Sequence, residues 1–326
     1  MAIPKLTVAV RTEVWPIAGT FTISRGSRTE VSVVVVEISD GTCTGRGECV
    51  PYPRYGETVE AVTAQIAAAS ITSLDREELR RHMAPGAARN GLDCALWDLE
   101  AKATGVSAAA RAGIKMQPLT TAFTLSLGTP GDMEAAARAA GDRPLLKLKL
   151  GGDGDVDRVH AVRRGAPRSR LVVDANEAWR EANFAANMLA CVEAGVTLIE
   201  QPLPAGQDEL LRTLPHPVPI CADESSHSRA DLDQVAGKYD AINIKLDKAG
   251  GLTEALDLAR EARRRGYLVM VGCMLGTSLA MAPALLVAQQ ADVVDLDGPL
   301  LLARDRQHPL AFRGSEVSPA SPELWG

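Results

Sequence analysis

The chain has no run approaching the roughly 18 apolar residues that a membrane-spanning helix needs, so no membrane partner is expected. It has no basic excess: 35 Lys and Arg stand against 41 Asp and Glu, a formal net charge of −6. That balance argues against nucleic acid as the main partner. The six cysteines, at positions 43, 49, 94, 191, 221 and 273, form no C-x-x-C pair, so a zinc site is not expected. Their dispersal along apolar segments suits the buried, reduced thiols of a cytoplasmic protein. Residues Met1–Lys5 lead into a strand pattern without an apolar core and cleavage site, so no signal peptide is expected. The five histidines are scattered; of these His160 reads as a surface or packing residue, and His227 follows Asp223 closely enough to approach a site. Nothing matches G-x-G-x-x-G. The stretch Gly151-Gly152-Asp153-Gly154 follows a strand pattern but has the wrong spacing and reads as a turn. No low-complexity linker divides the chain.

What is present is an ordinary globular composition over 326 residues, with 46% hydrophobic and 23% charged, enough for one large domain or two. Leu6–Val14 alternates and Val31–Ile38 is rich in β-branched residues, so both read as strands. Pro16–Arg28 between them reads as a loop or hairpin connection. Gly41–Cys49 continues the sheet, and helical patterns dominate from Thr58. The clearest covers Ala88–Gly105, with Leu92, Ala95, Leu96 and Leu99 on one face. Residues 1–115 therefore read as an α+β unit.

After Pro118 the pattern changes. Apolar runs end near Leu125, Leu150, Asp174, Glu200, Asp223, Lys245, Cys273 and Asp297. The first seven are each followed by a helix candidate: Asp132–Ala140, Asp155–Arg164, Arg180–Ala194, Gln207–Leu214, Arg229–Gly237, Thr253–Arg265 and Ser278–Ala288. This regular alternation predicts an α/β fold, a (β/α)8 barrel over residues 116–310. An open doubly wound sheet is the weaker architecture, because it would bring a Gly-rich phosphate loop. The tail, residues 311–326, carries Pro319, Pro322 and Trp325 and is expected to pack back on the first unit.

Three of the apolar runs end on carboxylates: Asp174, Glu200 and Asp223. The C-terminal ends of barrel strands are where such folds place their chemistry, and three acids there can hold one hard divalent cation. Side chains two apart on a strand share a face. Lys147 and Lys149 therefore point together into the barrel mouth if Leu146, Leu148 and Leu150 meet the helices. Lys245 ends the sixth strand and faces them from across the mouth. A cation on the three acids could take a substrate carboxylate and stabilise the enediolate left when the α-proton departs. A lysine on either side of that carbon permits removal from one face and return to the other, which is racemisation or epimerisation. Each lysine must be neutral in turn, so its pKa is expected to be lowered by desolvation or by nearby positive charge, which a divalent cation and Lys147 beside Lys149 could both supply. Asp295 and Asp297, at the eighth strand's end, read as free carboxylates suited to a substrate ammonium group. Arg25 could meet an acidic substrate side chain.

These residues carry a resemblance. Lys147-Leu148-Lys149, the three acids and Lys245 resemble the enolase superfamily in its muconate-lactonising branch, whose use of a Lys or His base with Mg2+ is general. The likeness covers essentially the whole chain. It implies a capping domain over a barrel, Mg2+ on Asp174, Glu200 and Asp223, and Lys149 and Lys245 as the acid/base pair. More closely, the chain resembles the dipeptide epimerases acting on L-Ala-D/L-Glu. The stretches that carry this are Ile23–Arg28, Gly47-Glu48-Cys49, Pro51–Gly56, Gly86–Asn90, Gly272–Leu275 and Asp295-Leu296-Asp297. That likeness implies that Asp295 and Asp297 bind the dipeptide ammonium and that Arg25 meets the glutamate side chain. It also implies that Thr124 and the backbone of Cys273, Met274 and Leu275 line the pocket, and that the role lies in murein peptide metabolism. Gly276 departs from the small polar residue expected there. A lyase such as o-succinylbenzoate synthase or a cycloisomerase, an N-acyl amino acid racemase and a non-catalytic relative are the alternatives. A small dipeptide is the expected partner, and a homo-oligomer is left open.

Overall fold

The computed structural model describes residues 6–69, 71 and 75–326; the leader reading of Met1–Lys5 lies outside them. The chain opens with a three-stranded antiparallel sheet made of Thr7–Ile23, Gly26–Ser39 and Thr44–Cys49. The first strand runs on through Pro16–Ile23, with a register shift between Pro16 and Phe21. The segment expected as a loop or hairpin connection is thus the far half of a long hairpin, turning at Ser24-Arg25. Alternate residues Val34, Val36 and Ile38 bury one face of the sheet against a helix over Ala87–Thr104. The helix approaches the third strand so closely that a Cβ on Gly47 would sit 2.1 Å from the Gly91 carbonyl. Gly105, at φ 70, stops the helix and returns its N–H to Ala101.

Eight parallel strands follow in sequential order: Phe123–Leu125, Leu145–Lys149, Arg170–Asp174, Val196–Glu200, Ile220–Ala222, Ala241–Ile244, Leu268–Gly272 and Val293–Asp295. The first and last meet where Ala122 N–H donates to the Val294 carbonyl and Leu296 N–H to Thr121 Oγ1. The (β/α)8-type barrel is therefore present. Five of the seven expected helices stand close to their expected limits, Ser278–Ala288 among them. Two do not. Gln207–Leu214 forms only a 3-10 turn over Glu209–Arg212, because Pro202, Pro204 and Pro215 bracket it. Arg229–Gly237 splits into a 3-10 turn and a four-residue helix, Leu232–Val235.

The alternation of strand side chains builds the interior in layers. Ala122, Leu145, Val172, Leu198, Cys221, Ala241, Met270 and Val293, one from each strand region, pack together as an apolar floor. Leu146, Leu148 and Leu150 join the larger core outside the barrel. Two residues above the floor, each strand offers its next inward side chain: Thr124, Lys147, Asp174, Glu200, Asp223, Asn243 and Asp295, with Gly272 giving none. The tail strand Glu316–Val317 pairs with Leu119–Thr120, and the Trp325 indole donates to the Cys94 carbonyl at 3.0 Å. Among the described residues no helix is long and apolar enough to cross a membrane.

Candidate active site

The polar layer above the floor is a closed network of buried charges. Lys147 Nζ lies 2.6 Å from Glu200 Oε2, 2.7 Å from Asp295 Oδ2 and 3.2 Å from Asp174 Oδ2. Lys149 donates to Asp174 Oδ2 at 2.6 Å, and Lys245 to Asp223 Oδ2 at 2.7 Å. Isolated charges at such depth would cost several kcal/mol each; here every ammonium faces a carboxylate. Adjacent strands bring Lys149, Asp174 and Glu200 into direct register, which is why the lysine and the acids meet.

The pairing sets the protonation states. Burial disfavours the Lys245 charge, but Asp223 and Glu200 outweigh it and hold the ammonium well above the usual lysine range. Lys147 is raised in the same way, against burial, by Asp295, Glu200 and Asp174. At Lys245 burial and Lys147 act in the expected lowering direction, but among the chain's own residues the acids Asp223 and Glu200 outweigh them. Burial raises Asp174 and Asp223, yet Lys149 and Lys147 pull the first below the carboxylate range, and Lys245 and Lys248 pull the second. Glu200 goes the other way, pushed to about 7 by burial and the Asp174 charge.

Among the described residues no three His, Cys, Asp or Glu side chains converge as a ready metal cage, because ammonium groups stand between the acids. The donor set nonetheless fits a hard cation. All three are carboxylates, which such ions prefer. Glu200 Oε2 and Asp223 Oδ1 are buried oxygens without a hydrogen-bond donor, although lysine ammonium groups lie 2.6 and 2.7 Å away off the bonding direction.

Several residues that the sequence reading passed over complete the layer. Lys248 is fully buried, with Nζ donating to the carbonyls of Ser226 at 2.8 Å and Asn243 at 3.0 Å and lying 2.7 Å from Asp223 Oδ1. Asn243 donates to Glu200 Oε1 at 2.7 Å, and a Cβ on Gly272 would stand only 2.7 Å from its amide oxygen. Gln201 Oε1 accepts from the N–H of Asp223 and of Ser225, tying the fourth strand's end to the fifth's. Asn243 lies two before Lys245, and Lys248 one helical turn after it; both signals were in the sequence. Gln201 left none. Among the described residues, positive φ outside glycine occurs at Asn176, Glu177, Gln201 and His308, and the first three lie in the loops just after Asp174 or Glu200. Backbone strain of this kind concentrates at functional sites.

Above the layer lies a cavity that opens towards solvent. Thr124, Lys147, Lys149, Asp223 and Lys245 border it from the barrel, and Cys273, Met274 and Leu275 form one wall. Asp295 and Asp297 stand at its eighth-strand side, and Arg25 comes down on it from the hairpin. Asp174 and Glu200 lie in the layer beneath. Asp295 is not free, being held by Lys147. Asp297 accepts from the Thr124 N–H at 2.6 Å and is raised to about 7 by burial and by Asp295. Arg25 donates to Glu224 Oε1 at 2.9 Å. The His227 ring stacks edge-on against Tyr55, with centroids 4.5 Å apart, and bonds the backbone of Glu224.

Residues 5–113 match the mandelate racemase/muconate lactonizing enzyme N-terminal domain, and residues 132–314 the enolase C-terminal domain-like family. The L-Ala-D/L-Glu epimerase of Escherichia coli K12 is 47% identical over 318 residues, covering 95% of this chain and 99% of that protein. The N-acetyl-D-glutamate racemase of a Pseudoalteromonas species is 45% identical over 299 residues, covering 90% and 95%. A crystal structure of an Agrobacterium tumefaciens enolase family member, with sodium and L-Ala-L-Glu bound, superposes with a TM-score of 0.97 at 55% identity, covering 98% of this chain and 100% of that one. The dipeptide epimerase of Methylococcus capsulatus, solved with Mg and L-Arg-D-Lys, gives a TM-score of 0.89 at 31% identity, covering 97% of each. With family models matching residues 5–113 and 132–314 and a relative 47% identical over 95% of its length, the chain belongs to the mandelate racemase/muconate lactonizing enzyme family of the enolase superfamily.

Proposed function

We propose that the protein is an isomerase, a Mg2+-dependent dipeptide epimerase that inverts the α-carbon of the C-terminal residue of L-Ala-L/D-Glu. The observation that carries this is one cavity bordered by Lys149 and Lys245, each on a different carboxylate, with the Asp295/Asp297 pair at its side. One lysine takes the α-proton and the other returns a proton to the opposite face, so the two exchange roles with substrate configuration. Asp174, Glu200 and Asp223 would hold the cation. When bound, that ion supplies positive charge against the carboxylate charge that grows as the proton leaves. Asp297, with Asp295 behind it, receives the α-ammonium group. Thr124 holds Asp297 in place, and the Cys273–Leu275 backbone lies along the dipeptide. Lys147 balances the acids from below.

An N-acyl glutamate racemase is the second reading. It is favoured by Asp295 being taken up by Lys147, and by Asp297 raised to about 7, so that a protonated Asp297 could donate to an acyl carbonyl. A lyase is disfavoured because its substrates have no ammonium group for the acids. The deciding experiment incubates the protein and Mg2+ with L-Ala-L-Glu, and separately with N-acetyl-L-glutamate, and resolves the products by chiral chromatography. Formation of L-Ala-D-Glu supports the first reading; inversion of the N-acetyl compound alone replaces it with the second.

Two further assignments belong to this reading. Residues 1–115, joined by the tail 311–326, form the cap, and residues 116–310 the catalytic barrel; the Trp325 contact to Cys94 supports that division. The six free thiols suit the cytoplasm, where murein peptides would be the source of substrate.

A further inference from the structure

The long hairpin of the N-terminal sheet is fastened to the barrel rim at several points. Leu127 N–H donates to the Thr22 carbonyl at 2.9 Å, and Ser24 Oγ to the Asn176 carbonyl at 3.1 Å. Phe21 and Ile23 line the cavity beneath it. At the turn, Arg25 spreads its guanidinium over four acceptors. One terminal nitrogen reaches the Asn176 carbonyl at 3.1 Å and Glu177 Oε2 at 3.3 Å. The other reaches Tyr52 Oη at 3.0 Å and Glu224 Oε1 at 2.9 Å. Glu177 is shared with Arg54, which grips it through two bonds of 2.7 Å. Glu224 has no such second cation on its other oxygen: its side chain is 1% exposed, and Oε2 is buried without a hydrogen-bond donor.

From this we infer that Glu224 is the partner of Arg25 in the substrate-free protein, a latch that closes the hairpin over the barrel mouth, and a specificity residue. Its carboxylate competes with an acidic substrate side chain for one guanidinium. The chemistry follows from the fork geometry. A substrate carboxylate pairs bidentately with a guanidinium only through donors that are free to turn towards it, and Glu224 occupies one of them. Glu177 and Glu224 already share this guanidinium, and a further carboxylate brought to it is repelled by both. The acidic side chain therefore gains its full contact only as Glu224 gives way, and the latch opens with substrate entry. Glu224 follows Asp223 in the turn after the fifth strand, lines the cavity, and meets Arg25 from that turn.

The specificity half rests on the dipeptide reading; the latch half does not, and two measurements keep them apart. In the first, kcat/KM is measured for L-Ala-L-Glu and for L-Ala-L-Gln with wild type and with Glu224→Gln. The amide keeps one acceptor for Arg25 but loses the competing charge. The ratio of acidic to neutral substrate is expected to rise about tenfold. A purely structural role would lower both values together, and an unchanged or falling ratio overturns the competition. In the second, amide hydrogen exchange of residues 19–28 is followed in the substrate-free protein. Glu224→Gln and Arg25→Met are each expected to speed that exchange several-fold, and exchange at the wild-type rate in both overturns the latch. If wild type turns over neither dipeptide, the dipeptide reading fails and takes the specificity half with it, while hydrogen exchange still decides the latch.

Discussion

Lys245 Nζ sits 2.7 Å from Asp223 Oδ2, so the proposed proton-transfer residue and a candidate cation ligand hold each other. While that pair stands, Asp223 favours the charged form of Lys245 over the neutral form that could accept a proton. A cation taking Asp223 would weaken the pair and free the lysine. Binding of this kind should be visible without any turnover. Mg2+ is expected to raise the melting temperature of wild type in a saturable manner, with about 2.7 kcal/mol gained at a hundredfold excess over Kd. Asp223→Asn should abolish the Mg2+-dependent part of the shift. A wild-type melting temperature indifferent to Mg2+ counts against the assignment.

The eighth-strand acids should decide between a free amine and an acyl group. Asp297→Asn is expected to lower kcat/KM for L-Ala-L-Glu by about ten- to a hundredfold, in line with the loss of one charge-assisted hydrogen bond. Turnover of N-acetyl-L-glutamate should fall far less. Equal losses on both substrates, measured by coupled or polarimetric assay, would assign Asp297 to the scaffold instead.

A buried acid at the junction of cap and barrel should shape the pH dependence of stability. Asp247 accepts from the Val50 N–H and from Asn90, and burial pushes it to about 7. A carboxyl raised above its unfolded value of 3.8 favours the folded state at low pH. That contribution is complete below about pH 4 and is lost as the pH rises through 7. Asp247→Asn removes the slope. Melting curves of the two proteins between pH 4.5 and 8 should therefore shift in favour of the variant as pH rises. A constant difference across that range refutes the shift.

Much of this arrangement was legible in the chain, for a geometric reason. A two-residue period is strict on a strand, so Lys147-Leu148-Lys149 had to send both lysines one way and the leucine between them the other. The same rule placed Asp174, Glu200, Asp295 and Asp297. What escaped depends on partners distant in sequence. Nothing next to Asp295 announces that Lys147 will claim it, and nothing near Arg25 announces Glu224. The acids that outweigh the lowering effects on Lys245 come from neighbouring strands, because charge neighbours along a strand are not those across it. The helices after the fourth and fifth strands shrank because prolines bracket one and Gly237, at φ 73, ends the other.

Lys248 offers a test of the residues that the structure adds to the site. Its ammonium is the shared donor for the carbonyls of Asp223, Ser226 and Asn243. Lys248→Met leaves these acceptors buried without a donor and frees one side of Asp223. A loss of about 3–5 kcal/mol is expected in denaturant unfolding, together with weaker Mg2+ binding in the folded fraction. Wild-type stability would show that the cluster is held some other way.

The central claim is that Lys149 and Lys245 act on opposite faces of one carbon, and α-hydrogen exchange in D2O followed by NMR addresses it most directly. Wild type with Mg2+ should wash deuterium into the glutamate α-position of both L-Ala-L-Glu and L-Ala-D-Glu. Lys149→Ala and Lys245→Ala should each lose inversion by about a thousandfold or more, with any surviving exchange confined to one diastereomer, a different one for each variant. Inversion that persists in either variant, or exchange of the same diastereomer by both, would contradict the two-lysine account.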